Sequence, residues 1–97
     1  MHKIVKVKNF SIEAPYTLRL HFDDESQQTI NFFPILQGEM YGPLRDAVIF
    51  NQVHLDKEVG TIVWPNGADF DPAMLHNWKD YEHELLQRSQ QWTLIKN

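Results

Sequence analysis

The chain contains no cysteine, only four glycines among its 97 residues, and no long apolar run. The lack of cysteine excludes disulfide scaffolds, thiol catalysis and thiolate metal sites. With so few glycines, none of which forms a phosphate-binding loop, a nucleotide cradle is not expected. Because no apolar leader and no membrane-length run occurs, we expect no contact with the membrane and a cytoplasmic location.

Positive charge is also scarce, since the chain has nine Lys and Arg but thirteen Asp and Glu, and its net charge is −4. Nucleic-acid binding through counterion release is therefore not expected. Lys3, Lys6 and Lys8 lie among apolar residues near the N terminus, a pattern typical of a solvated edge strand. The hydrophobic fraction of 42% and the aromatic fraction of 12% predict one folded domain over residues 1–97.

Alternating apolar residues predict strands in the first half of the chain. The predicted strands cover residues 2–8, closed by Phe10, then 16–22 and 27–33, with an acidic turn at 23–26 between the last two. The alternation is most regular over 16–22, so that strand and its hairpin partner are the clearest.

Short helical turns are predicted next, one over 34–37 that Gly38 ends and one that begins with Pro43. A fourth strand is predicted over 50–55 and a fifth over 61–64. The predicted fold class is α+β, with a mostly antiparallel sheet of about five strands, short helical turns and a C-terminal helix.

The C-terminal helix is predicted from a change to helical spacing after Pro72, with Asp71 as its N-cap. Asn77 interrupts the apolar stripe and predicts a break. Trp78, Tyr81 and Trp92 lie in this region, and large aromatic side chains often anchor protein interfaces. We treat these three as candidate partner-binding residues, with burial in the core as the alternative.

The segment from Trp64 to Pro72 concentrates residues with special backbone behaviour. Pro65 fixes its own φ, Asn66 tolerates a left-handed conformation, and Gly67 adopts positive φ without steric cost. Two interpretations stay open: a purely structural turn and cap, or a loop that binds a ligand or substrate. The candidate residues for either role are Trp64, Asn66, Gly67, Asp69 and Asp71.

Two polar groupings suggest metal sites, but turn and cap roles explain the first better and a solvated helix face explains the second better. Asn66, Asp69 and Asp71 supply oxygen ligands but lack the full calcium-loop pattern. His76 and His83 share a face of a continuous helix with Asp80, yet zinc would need further ligands. We therefore predict no metal and no cofactor.

A third grouping, the carboxylates of Asp23, Asp24 and Glu25, suggests acid–base chemistry. A catalytic pair needs one member in a buried environment that separates the two pKa values, and an exposed hairpin tip offers the opposite. No nucleophile motif occurs either. We predict no catalytic residue.

The order of these features matches a known pattern. The chain carries Gly38, Tyr41, Pro43-Leu44, Asp46, Phe50, Leu55-Asp56 and the run from Gly60 to Asp69, which contains Trp-Pro-Asn-Gly-Ala-Asp. This order resembles the DUF2442 family, a widespread bacterial family of unknown function. The resemblance covers residues 3–76 and leaves 77–97 as a helical extension.

The resemblance implies a small α+β fold with no agreed catalytic residues. Members are often encoded beside a small toxin-like protein, which implies an antitoxin-like or adaptor role. The sequence therefore predicts a non-enzymatic protein-binding module whose partner is another small protein. The alternatives are a ligand-binding protein or enzyme that uses the Trp64–Asp71 loop, and a homodimer or other homo-oligomer formed through an exposed strand or the aromatic tail.

Overall fold

The computed structural model describes residues 5–95, and side chains over residues 5–88. Its strands are β1 (Val7–Ala14), β2 (Thr17–Phe22), β3 (Gln27–Asn31), β4 (His54–Asp56) and β5 (Thr61–Val63). All pairings are antiparallel, in one sheet of order β1-β2-β3 and a second sheet of β4-β5. The predicted α+β class with five antiparallel strands is confirmed, and the strands are divided between two sheets.

The helices are α1 (Gly38–Tyr41), α2 (Ala47–Phe50), α3 (Pro72–His76) and α4 (Trp78–Ile95), with 3-10 helices at Phe33–Ile35 and Gly42–Arg45. Asn77 ends α3, which confirms the predicted break, and Pro43 lies in the first turn of the second 3-10 helix as expected. Among the described residues, no helix combines the length and apolar character needed to cross a bilayer.

The hairpin of β2 and β3 follows the alternation in its sequence. Leu18 lies opposite Ile30, and both are buried. Arg19 lies opposite Thr29 on the other face, and both are exposed. One face of the three-stranded sheet therefore packs on the core, while the other carries polar side chains.

Strand β1 differs from its prediction. The strand predicted over residues 2–8 actually begins at Val7 and continues to Ala14, while residues 1–4 lie outside the described part. The register with β2 shifts between Val7 and Asn9 and again between Ile12 and Ala14. Each shift adds a residue and reverses the alternation, so the period of two does not continue through the strand. The expectation that Phe10 closes the strand was wrong, because it lies in the middle.

Two expectations for the helical turns were also wrong. Phe50 is predicted to begin the strand over 50–55, but it ends α2, and that strand begins at His54. The N-cap of α2, Asp46, accepts a hydrogen bond from Val48 N at 2.9 Å. Gly38 was expected to end a helix, but it begins α1 with φ +85°. Helices of four residues are too short to show a helical period, so the apolar pattern could not reveal them.

Aromatic rings form the centre of the core. Phe32 lies 5.3 Å from Phe70 and 5.4 Å from Trp78 between ring centroids, and Trp64 lies 5.9 Å from Phe32. Phe32 and Trp64 are fully buried, and Phe70 and Trp78 nearly so. These contacts join the first sheet to the segment that follows β5 and to the start of α4.

The two sheets meet where β1 begins. Val7 N donates to Gly60 O at 2.8 Å, and Asp23 N donates to Lys6 O at 2.9 Å. Gly60 has φ +79°, and a Cβ placed there would lie 2.6 Å from Lys6 Cβ. Only glycine fits this close approach without movement of the neighbouring strand.

Candidate functional site

The segment Trp64–Pro72 begins as a tight turn at the end of β5. Trp64 N donates to Ala68 O at 2.9 Å, and Gly67 N donates to Trp64 O at 2.9 Å. Gly67 has φ +87°, and nothing lies within 4 Å of the position of a Cβ there. The turn therefore needs glycine for its backbone conformation and leaves open space beside it.

The Trp64 side chain is fully buried, and its Nε1 donates to Phe50 O at 2.9 Å. The indole thereby fills the core and satisfies its polar atom within it. This candidate residue ties the turn to the end of α2.

Asn66 uses both ends of its amide inside the protein. Its Oδ1 accepts from Ala68 N at 3.0 Å, which is a side-chain turn typical of Asn. Its Nδ2 donates to Met40 O at 2.8 Å. Asn66 therefore shapes the turn and also holds the backbone of α1 against it.

Asp69 makes its contact with α1 through its backbone. Tyr41 OH donates to Asp69 O at 2.9 Å, while the Asp69 side chain is exposed. Burial raises the pKa of Tyr41, and the negative charge of Asp69 raises it further. The turn and α1 are thus joined by two hydrogen bonds, from Asn66 and from Tyr41.

Asp71 is the N-cap of α3, as expected. Its Oδ1 accepts from Ala73 N at 2.8 Å, and Pro72 occupies the first turn. Four of the five loop candidates, Trp64, Asn66, Gly67 and Asp71, therefore have structural roles in which their special atoms or backbone angles are used. That any of the five also binds a ligand stays a prediction.

A pair that sequence reasoning missed joins the β2–β3 hairpin to α3. Asp24 Oδ2 lies 2.7 Å from His76 Nε2, and each side chain is 24% exposed. Hydrogen bonds from the Ser26 hydroxyl and backbone N–H, and then from His76, lower the pKa of Asp24 to about 2. The two residues are 52 positions apart, and no local pattern could have indicated the contact.

The surroundings of His76 fix its orientation. Asn77 Nδ2 donates to Ala73 O at 3.1 Å, which leaves Asn77 Oδ1 facing His76 Nδ1 at 3.1 Å. Gln28 Nε2 donates to His76 O at 2.8 Å. His76 therefore links helix and hairpin through its side chain and its carbonyl.

The helical His and Asp residues do not gather as a metal site. His76 ends α3, whereas Asp80 and His83 lie on α4 beyond the break, and His83 Nε2 lies 3.1 Å from Gln87 Nε2. Within the described residues, no three His, Asp or Glu side chains are placed to hold one metal ion.

The three aromatic candidates have different surroundings. Trp78 is 5% exposed and packs against Phe32 and Phe70, so its burial indicates a packing role. Tyr81 is 37% exposed. Trp92 lies on the described backbone of α4 but outside the residues with described side chains.

A family model with the description "Protein of unknown function (DUF2442)" matches residues 7–81, which is more than half of the chain. The chain belongs to the DUF2442 family. In this DUF2442 protein the matched residues include the whole three-stranded sheet, the Trp64–Pro72 segment and the beginning of α4. Searches of curated proteins and of solved structures found no match.

Proposed function

We propose that this DUF2442 protein is a non-enzymatic protein-binding module, antitoxin-like or adaptor-like, whose partner is another small protein. The proposal rests on three exposed apolar side chains beside the aromatic core: Phe33 at 40% exposure, Met40 at 52% and Tyr81 at 37%. We call these three residues the Phe33–Met40–Tyr81 surface. Aromatic residues and methionine are enriched at protein interfaces.

Each residue of this surface lies close in sequence to a residue that packs in the aromatic core. Phe33 follows the buried Phe32, and Tyr81 lies one helical turn after Trp78. Met40 precedes Tyr41, whose ring stacks on Phe70 at 5.0 Å. The 3-10 helix at Phe33–Ile35 and α1 both contact α4. The three side chains therefore lie on neighbouring elements.

A positive charge borders the surface. The Arg45 guanidinium lies over the Phe33 ring at 5.2 Å from its centroid. An apolar centre with a polar rim is the usual composition of a protein–protein interface. Arginine stacked on an aromatic ring is well suited to such a rim because it presents donors in a fixed plane.

The Trp64–Pro72 segment supports this surface by holding α1 in place. Asn66 Nδ2 binds the carbonyl of Met40 itself, and the adjacent Tyr41 binds Asp69 O. A helix of four residues has little stability of its own, so these two bonds fix its position. A surface that is ordered before binding loses less entropy when a partner docks.

The test begins with capture of the tagged protein from its native host, followed by mass spectrometry of a stoichiometric small partner. The purified partner is then titrated calorimetrically with variants. We expect Met40→Lys to weaken binding by about tenfold or more, because it replaces an exposed apolar side chain of this surface by a charge. Val59→Lys is the matched control, since Val59 is 55% exposed and lies in the β4–β5 turn.

Tyr81→Ala should weaken binding as well, and circular dichroism should show that each variant remains folded. The proposal fails if no protein is captured in stoichiometric amount. It also fails if Met40→Lys and Val59→Lys bind the purified partner with equal affinity.

A further inference from the structure

We infer that β1 pairs antiparallel with β1 of a second copy of this chain, which extends the three-stranded sheet across a two-fold axis. This dimer uses a different part of the molecule from the Phe33–Met40–Tyr81 surface. The dimer is suggested by the position of β1 at the edge of its sheet and by the direction of the backbone groups of β1. Exposed strand edges are templates for pairing with another strand.

The hydrogen bonds around β2 show toward which neighbouring strand the backbone N–H and C=O groups of each residue are directed. Phe22 N donates to Ser26 O at 3.0 Å, and Phe32 N donates to Tyr16 O at 2.8 Å. In an antiparallel pair, every second residue bonds to the same neighbour. The even-numbered residues of β2 therefore bond toward β3, and Arg19 and its odd-numbered neighbours bond toward β1.

The same alternation identifies the free groups of β1. Ser11 lies opposite Arg19, so its backbone bonds toward β2. Phe10 and Ile12, on either side, direct their N–H and C=O groups to the open edge. Over residues 5–95, no backbone or side-chain hydrogen bond reaches those groups. Phe10 and Ile12 are therefore the residues that can accept another strand.

The side chains of these two residues face the core side of the sheet. Phe10 lies opposite Leu20, and Ile12 lies opposite Leu18, both of which are fully buried. Ile12 itself is 46% exposed because, within residues 5–95, no strand lies beyond it. An added strand would cover Ile12 and continue the apolar rows of the sheet.

A second copy of β1 fits this edge in one register. Register shifts at Lys8 and Glu13 limit the regular part of the strand to Asn9–Ile12. With Ser11 on the two-fold axis, Phe10 of one copy lies opposite Ile12 of the other. Both members of that pair have outward backbone groups, so each can donate to and accept from its partner.

The charges of β1 favour its own antiparallel copy. Lys8 is at one end of the regular stretch, 3.4 Å from Glu25 of its own chain, and Glu13 is at the other end, 2.9 Å from Arg19. The side chains of Lys8 and Glu13 are still 55% and 35% exposed, so each can also face a charge on a second copy. Antiparallel pairing brings Lys8 of one copy near Glu13 of the second at both ends, whereas parallel pairing would bring like charges together. Unlike charges across strands are favourable and like charges are unfavourable. This complementarity commits the edge to a second copy.

The dimer is expected to be weak and closed. The regular stretch is short, so the buried area falls in the range of weak, transient interfaces. Because the same edge of both copies is used, a third copy finds no free β1. On the other side of the sheet, α3 packs against β3, and Gln28 binds the carbonyl of His76.

Sedimentation equilibrium from micromolar to millimolar concentration is the first test. We expect the average mass to rise from the 11.5 kDa of one chain toward that of two. Ile12→Lys should stay at one chain throughout, because a charged edge residue blocks strand addition. Gln27→Lys, at an exposed residue of β3 that β2 separates from the β1 edge, should associate like wild type. A wild-type mass of one chain throughout, or undiminished association of Ile12→Lys, would overturn the inference.

Cross-linking tests the register independently of the folding of Ile12→Lys. The chain has no cysteine, so Ser11→Cys introduces a single thiol on the exposed face, opposite its own copy. Cα atoms in such a non-hydrogen-bonded pair lie about 4.5 Å apart, a distance that a disulfide spans. We expect rapid covalent dimerisation on mild oxidation. Asn9→Cys, two residues away on the same face, should react far more slowly, and equal rates would refute the register.

Discussion

The Trp64–Pro72 segment and strand β1 differ in how their backbone groups are used. The segment is rich in special residues, and its polar groups bind other parts of the same molecule, including Met40, Phe50 and Ala73. Strand β1 has ordinary strand residues, yet in the described part of the chain the outward backbone groups of Phe10 and Ile12 have no hydrogen-bond partner. Unusual residues therefore mark where the fold is constrained, and unpaired groups mark where the molecule can bind something else.

The largest effect that separates the two regions is expected for Trp64→Ala. Removal of a fully buried indole and its bond to Phe50 O should lower the free energy of unfolding by about 3–5 kcal/mol. Ile12→Ala, at a half-exposed residue of β1, should cost less than about 1 kcal/mol. Urea denaturation of both variants measures the difference. Similar losses would contradict the division between the two regions.

Two glycines provide a sharper comparison. Gly67→Ala should cost about 1–2 kcal/mol, from backbone strain alone, because the space beside it is open. Gly60→Ala should cost more, since the new Cβ also meets Lys6 Cβ at 2.6 Å. In a Lys6→Gly background, the cost of Gly60→Ala should fall to that of Gly67→Ala. An unchanged cost in that background would show that the contact with the beginning of β1 is unimportant.

Asn66→Ala tests whether the segment is structural. The variant leaves Ala68 N–H and Met40 C=O without their partners, so we expect a loss of about 1–2 kcal/mol in the free energy of unfolding. Asp69→Ala should change stability by less than about 0.5 kcal/mol, because only its backbone binds Tyr41. Urea denaturation distinguishes the two. Full stability of Asn66→Ala would instead favour a ligand-binding role for the loop.

The smallest expected effect is the acid dependence of stability that comes from Asp24, which pairs with His76 and so joins the β2–β3 hairpin to α3. The unfolded chain protonates Asp24 near its usual pKa of 3.8, whereas the folded chain keeps the carboxylate until about pH 2. Stability is therefore lost as the pH falls through this window, because the unfolded state takes up the proton first.

Asp24→Asn should remove this part of the acid dependence, and Ser26→Ala should reduce it by removing the main cause of the lowered pKa. Denaturation midpoints measured across acidic pH test both variants. If Asp24→Asn has the same acid profile as wild type, the lowered pKa of Asp24 does not contribute to the pH dependence of stability.

How much of the molecule could be predicted from its sequence depends on how local each feature is. The β2–β3 hairpin and the break at Asn77 follow from alternation and from a single helix-ending residue, and both were confirmed. The length of β1 could not be inferred, because register shifts interrupt its alternation. The second bond of Asn66, to Met40, joins residues 26 positions apart, so the turn was predicted but its attachment to α1 was not.

The contact between Val7 and Gly60 also has a kinetic consequence. The hairpins of both sheets close through short turns and can form early, whereas Val7 must reach Gly60 across more than half of the chain. Because closing a long loop is entropically slow, this contact is expected to form late in the folding reaction. A contact absent from the transition state slows unfolding without affecting refolding. The hydrogen bond from Val7 N to Gly60 O is therefore expected to slow unfolding and so to lengthen the lifetime of the native state.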